Sequence, residues 1–201
     1  MKRVYLLRHG ENDVMARRLA GRLPGTHLNR RGQEQAQRVA DKLSGQPIRA
    51  VFSSPMERAL ETAAPLAAAL GLPVRVLDGL NEVDYGEWQG RTYRQLARVR
   101  LWQLVIQSPS QVRFPGGETL VEVQARAIAA VQWAAAQVGA DEIVACFTHG
   151  DVVRLTTAWA LKMALDTYRI LQADTASLTV LAFGEQQLER VLCVNQDLTG
   201  G

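Results

Sequence analysis

Apolar residues fall into short runs towards both ends of the chain and into helical stripes between them. Val4-Tyr5-Leu6-Leu7 runs into Arg8, His9 and Gly10, and Ile143-Val144-Ala145-Cys146-Phe147 runs into Thr148, His149 and Gly150. Short apolar runs closed by glycine predict buried strands, here over 3–7 and 143–147. Ala50-Val51-Phe52-Ser53 predicts a second strand and 74–77 a third, while 176–183 and 188–194 predict two closing strands joined at Gly184-Glu185. Ala36, Val39, Ala40 and Leu43 recur at the 3.6 period and predict a helix over 32–43. A second stripe, Ala59, Ala63, Leu66, Ala67 and Leu70, ends at Gly71 and Pro73; Ser54 with Glu57 reads as its capping box and Pro55 as its first residue. Residues 92–107 predict one amphipathic helix with Leu96, Val99, Trp102 and Ile106 inward. Thr119 with Glu122 opens another helix to about Val138, and 151–163 predict the last. This alternation predicts a three-layer α/β/α fold with a mostly parallel central sheet, in a single domain over 1–201. Residues 85–117 are expected to form a small helical cap.

Composition narrows the class. The chain of 201 residues is 47% hydrophobic and 21% charged, as a globular domain requires. Net charge is +3, carried almost wholly by arginine, and no dense basic run points to nucleic acid. Cys146 and Cys193 lie in predicted strands without metal or redox spacing, which implies a reducing compartment. The N-terminal apolar run is too short for a signal peptide and no stretch suits a membrane span, so the cytoplasm is expected. The oligomeric state stays open, a homodimer included.

Two of the three histidines end a strand just before a glycine. If the sheet is parallel there, Arg8, His9 and His149 share its carboxyl rim with Arg58, which starts the helix after the second strand. Paired arginines match a phosphoryl dianion, and one of the histidines can carry the phosphoryl group covalently. Glu82, in a carboxylate-rich loop with Asp84 and Glu87, is the candidate proton donor, its pKa raised by like charges and partial burial. No His-x-x-x-His spacing supports a metal, and no cofactor is expected. Neither a P-loop nor a Gly-x-Ser-x-Gly elbow is present. His27 reads as a surface loop residue, and Tyr85, Trp88, Phe114 and Trp102 as packing within the cap.

Arg8-His9-Gly10-Glu11, Ser53-Ser54-Pro55 with Arg58, Leu80-Asn81-Glu82 with Asp84-Tyr85-Gly86 and Trp88, and Thr148-His149-Gly150 resemble the histidine phosphatase superfamily, the phosphoglycerate mutase-like clan. The likeness runs in order over nearly the whole chain and is strongest to small bacterial members named as phosphomutases and phosphatases. It implies a phosphoglycerate mutase-like fold, a phosphohistidine on His9, and a phosphate pocket of Arg8, Arg58 and His149. It also implies Glu82 as proton donor. Leu28-Asn29-Arg30-Arg31-Gly32 matches as well, with Gly21 and Arg22 in the preceding substrate loop. Asn12 stands where many members have serine or threonine and keeps a donor for phosphate; Gly150 completes the binding set. Met15 stands where the mutases carry asparagine, the middle is shorter than theirs, where a lid insertion stands, and a water-excluding tail is not expected beyond Asn195. Because excluding water separates a mutase from a phosphatase, the expected activity is hydrolysis of a small phosphorylated metabolite. A phosphoglycerate mutase or related phosphomutase is the alternative.

Overall fold

A computed structural model describes residues 1–185 and 187–200. Six strands form one sheet: β1 (Lys2–Arg8), β2 (Ile48–Ser53), β3 (Val74–Val76), β4 (Ile143–Thr148), β5 (Leu178–Phe183) and β6 (Leu188–Gln196). Their order is β3-β2-β4-β1-β5-β6. β1, β2, β3 and β4 are mutually parallel, β5 runs antiparallel to β1, and β6 antiparallel to β5. The fold is therefore the mixed, mostly parallel α/β class that the alternation predicts.

The layers follow from side-chain alternation. Along β1, Tyr5 and Leu7 join one core and Val4 and Leu6 the other. The first core is roofed by α1 (Arg30–Leu43) and α2 (Glu57–Leu70) through Val39, Leu43, Ala63 and Leu66. The second is closed by α5 (Leu120–Ala136) and α6 (Gly150–Ala160) through Val131, Ala134 and Val153. Each fully buried leucine here contributes roughly 1.5–3 kcal/mol by leaving water. A third core joins Trp88, Leu96, Val105 and Phe114, from the segment expected as a cap, to Leu120 and Val123 of α5 and Leu155 of α6.

Three local expectations are corrected. Residues 92–107 are two helices, α3 (Tyr93–Leu96) and α4 (Arg100–Gln107), because the backbone at Val99 is extended. The turn that results re-aims α4, so Val105 is buried and Ile106 is exposed. Ser54 does not cap α2. The cap position is Met56, without a side-chain bond, and Pro55 precedes it. Ser54 Oγ instead accepts from the Met56 amide at 3.3 Å and from the ring of His149 at 2.7 Å. α1 starts two residues before the predicted point, at Arg30, because Asn29 caps it by accepting from the Gly32 amide at 2.9 Å.

Gly32 shows how closely the first loop is fitted. A Cβ there would meet the Glu11 carbonyl oxygen at 2.1 Å, and one on Gly10 would meet the Gly32 carbonyl oxygen at 2.6 Å. Alanine in a helix ordinarily gains about 1 kcal/mol over glycine. Gly32→Ala is expected to lower stability instead, by about 1–3 kcal/mol, with lost activity because Glu11 lies two residues from His9. Urea unfolding midpoints check this.

Candidate active site

Sheet register assembles the site. Arg8 lies opposite Thr148 in the parallel β1–β4 pair, and the His9 amide continues the ladder to the Thr148 carbonyl at 2.9 Å. On the other flank of β4, Ser53 is opposite Phe147 and the Ser54 amide bonds the Phe147 carbonyl at 2.9 Å. The ends of three neighbouring strands therefore deliver Arg8-His9, His149 and Ser54 to one rim, and α2 adds Arg58 one turn later.

The hydrogen bonds fix the ring tautomers. His9 Nδ1 lies 2.7 Å from the Gly10 carbonyl, which can only accept, so Nδ1 carries the proton. His9 Nε2 is then a lone pair, and it accepts from Arg58 Nε at 3.2 Å. Burial and the charges of Arg58 and Arg8 hold the His9 pKa well below its ordinary 6.5, so the ring is neutral and Nε2 keeps its lone pair. His149 Nδ1 accepts from Arg58 Nη2 at 3.1 Å, leaving Nε2–H to donate to Ser54 Oγ at 2.7 Å. Its pKa too is depressed, first by burial and then by Arg58. The rings sit edge to face with centroids 5.2 Å apart.

Among the described residues, the buried donors without a protein partner include three N–H groups, Arg8 Nε, Arg58 Nη1 and Asn12 Nδ2. Arg8, Arg58 and Asn12 all line one cavity together with His9, Gly21, Glu82 and Gly150. Asn12 Oδ1 accepts from the amides of Val14 and Met15, which turns its NH2 away from them. Arg8 is anchored by Nη1 on the Ala173 carbonyl at 2.6 Å, and Arg58 by Nη2 on the Gly21 carbonyl at 2.8 Å. Orphaned buried donors are costly. A cluster of three beside a histidine lone pair is the arrangement a phosphate dianion satisfies. Gly150 permits it, since a Cβ there would lie 3.2 Å from Arg8 Nε.

Glu82 borders the same cavity, with Oε2 3.8 Å from His149 Nδ1 and Oε1 accepting from the Val83 amide at 2.9 Å. Its pKa is raised to about 7, by burial first and then by Asp151. The like charge that matters comes from α6, not from Asp84 or Glu87 in its own loop. Asp151 is fixed by Tyr85 Oη, which donates to Oδ2 at 2.6 Å, and by Arg154 at 3.1 Å. Sequence reasoning missed Asp151, although it directly follows Gly150. Arg22 does not line the cavity: its guanidinium is held by the Glu82 carbonyl and Glu118. His27 is exposed and pairs with Glu61. Tyr85, Trp88 and Phe114 are buried, and Tyr85 and Phe114 line the cavity together with Trp102 and Tyr93.

The two buried neutral rings make the fold acid-sensitive. A depressed folded pKa adds stability that is whole above the unfolded value of 6.5 and is lost as pH falls below it. Below pH 6.5 stability is expected to drop by up to about 2.7 kcal/mol per pH unit for the pair. Glu82, raised to about 7, opposes this by up to one ring's share over the same interval, and exposed His27, raised by Glu61, acts weakly in the same opposing sense. Unfolding midpoints between pH 7 and pH 5 in Glu82→Gln, which lacks the opposing carboxyl, test the slope of the pair, and adding His9→Asn to that chain is expected to halve it.

Among the described residues, no group of three His, Cys, Asp or Glu side chains is placed to hold a metal ion, and no helix is long and apolar enough to cross a membrane. The family model for the histidine phosphatase superfamily, branch 1, matches residues 4–196. A glucosyl-3-phosphoglycerate phosphatase of Mycolicibacterium vanbaalenii is 32% identical over 181 residues, covering 85% of this chain and 79% of that protein. A bifunctional protein of Mycobacterium tuberculosis is 35% identical over 208 residues, and the alignment covers 96% of this chain but only 54% of that one. A solved mycobacterial glucosyl-3-phosphoglycerate phosphatase in complex with inorganic phosphate superposes with a TM-score of 0.86 at 30% identity, covering 100% of both chains. With these matches extending over the strands that build the rim, the chain belongs to the histidine phosphatase superfamily.

Proposed function

We propose that this histidine phosphatase hydrolyses small phosphomonoesters through a phosphohistidine on His9. The observation that carries the reading is the His9 Nε2 lone pair held by Arg58 beside three unpartnered buried donors. The phosphoryl dianion binds Arg8 Nε, Arg58 Nη1 and Asn12 Nδ2. His9 Nε2 attacks phosphorus, the ester P–O bond breaks with its electron pair on the leaving oxygen, and Glu82 protonates that oxygen. The alcohol departs. Water then attacks phosphorus while the Glu82 carboxylate takes its proton, and the P–N bond breaks with the pair returning to His9. A donor with a pKa of about 7 suits both halves, as acid first and base second. Charge building on the equatorial oxygens meets fixed guanidinium groups, which supplies most of what phosphoryl transfer asks of a protein. His149 keeps the Arg58 guanidinium in place through the bond to Nδ1.

Hydrolysis is favoured over transfer to a second hydroxyl because relatives at 30% identity or more carry phosphatase names. A panel of sugar phosphates, phosphoglycerates, nucleotides and aryl phosphates tests this, with inorganic phosphate and isomerised ester measured in the same reaction. The expected result is metal-independent release of inorganic phosphate. Accumulation of an isomerised ester with little free phosphate overturns it.

A further inference from the structure

Glu82 projects from a loop, yet an acid must reach the leaving oxygen within a few tenths of an ångström. What holds that loop is a second charged cluster away from the phosphate. The Glu82 carbonyl accepts from Arg22 Nε at 2.9 Å and from Arg126 Nη2 at 3.0 Å. Arg126 Nη1 spans the preceding turn, donating to the carbonyls of Gly79 at 3.0 Å and Asn81 at 2.7 Å. Both guanidinium groups converge on Glu118. Arg126 reaches its two oxygens at 2.9 and 3.0 Å, and Arg22 Nη2 reaches Oε2 at 2.9 Å. The same Oε2 accepts from the Asp84 amide at 2.9 Å, and the Glu118 amide returns a bond to the Asp84 carbonyl at 2.9 Å. Burial raises the Glu118 pKa, but Arg126, the Asp84 amide and Arg22 outweigh it and keep the carboxyl ionised.

The backbones interlock independently of these charges. A Cβ on Gly117 would meet the Asp84 carbonyl oxygen at 2.2 Å, and one on Gly86, whose φ is +52°, would meet the Pro115 carbonyl oxygen at 2.1 Å. The loop that carries Glu118 is thus seated directly against the loop that carries Glu82. Arg22 extends the connection, because its neighbour Gly21 offers the carbonyl that anchors Arg58.

We propose that Glu118, acting through Arg126 and Arg22, is a positioning residue that fixes the Glu82 carboxyl against the leaving-group oxygen. The inference rests on the phosphatase reading. Glu118 touches neither substrate nor phosphate, so its loss acts on proton donation and spares phosphate binding.

The test compares Glu118→Gln and Arg126→Lys with the unaltered chain on two esters. One is an alkyl phosphate such as glycerol 2-phosphate, whose alkoxide needs a proton. The other is 2,4-dinitrophenyl phosphate, whose phenolate leaves without one. kcat/KM is read because it reports the step in which the P–O bond breaks. Misplacement by about 1 Å is expected to cost on the order of 10²-fold on the alkyl ester. The dinitrophenyl ester and the inhibition constant of inorganic phosphate are expected to stay near the unaltered values. Arg126→Lys keeps the charge but loses the fork that spans three carbonyls, so it repeats the pattern even if Glu118→Gln folds poorly. Equal losses on both esters, or no loss in either variant, overturn the inference. If the unaltered chain hydrolyses neither ester, it is the phosphatase reading that falls.

Discussion

His9→Ala is expected to reduce turnover of every phosphomonoester by on the order of 10⁴-fold or more, the scale on which deletion of a covalent nucleophile falls. Nothing else in the cavity can replace it. Among the described residues, His149 is the one other imidazole beside His9, but its Nδ1 accepts from Arg58 and its Nε2–H is committed to Ser54. The loss lies in bond making rather than binding, because the unpartnered donors on Arg8, Arg58 and Asn12 do not depend on the imidazole. Titration with inorganic phosphate is therefore expected to show binding retained in His9→Ala, while kcat/KM collapses on alkyl and aryl esters alike. Residual hydrolysis within tenfold of the unaltered chain contradicts this.

Glu82→Gln separates the acid from the nucleophile. Its expected cost on an alkyl ester is about 10²–10⁴-fold in kcat/KM, the range for general acid catalysis. On an aryl ester with a good leaving group the cost in kcat/KM is much smaller, since the first step needs no proton there. The pH profile moves with it. The acid form is required for the first step, so kcat/KM for the alkyl ester falls with one-proton slope above about pH 7, and Glu82→Gln removes that limb. Stability moves the other way. Raised from 4.5 to about 7, the carboxyl destabilises the fold progressively as pH rises through that interval and fully above it. Glu82→Gln is therefore expected to be more stable than the unaltered chain at pH 8, by on the order of 3 kcal/mol. A thermal melt at pH 8 and another near pH 4.5, where the two should converge, check the sign.

Strand ends were legible because local sequence writes them directly. An apolar run cut off by Arg8-His9-Gly10 has one reading, and a parallel sheet then brings it level with Thr148-His149. Arg58 was legible for the same reason, one turn after a strand. What failed was whatever depended on tertiary partners. Ser54 carries the local signature of a helix cap, but a buried histidine ring takes its hydroxyl, and no local pattern records that competition. The break at Val99 was hidden because the apolar period continues across it, while packing against Trp88 and Phe114 decides which face of α4 turns inward. The raised pKa of Glu82 was expected from partial burial and from like charges in its own loop; burial does supply the largest part, but the like charge is Asp151, while Asp84 lies toward Arg22 at 3.8 Å. Arg22 was expected at the phosphate because of its place in the substrate loop. Only the structure shows that Glu118 and the Glu82 carbonyl hold its guanidinium.

Rapid mixing with a phosphomonoester, quenching in alkali and peptide mapping by mass spectrometry address the covalent step itself. One added phosphoryl group on the peptide containing His9, absent in His9→Ala and decaying at the rate of turnover, is the predicted result. Phosphate on any other side chain, or steady turnover with no labelled protein at any mixing time, contradicts the account.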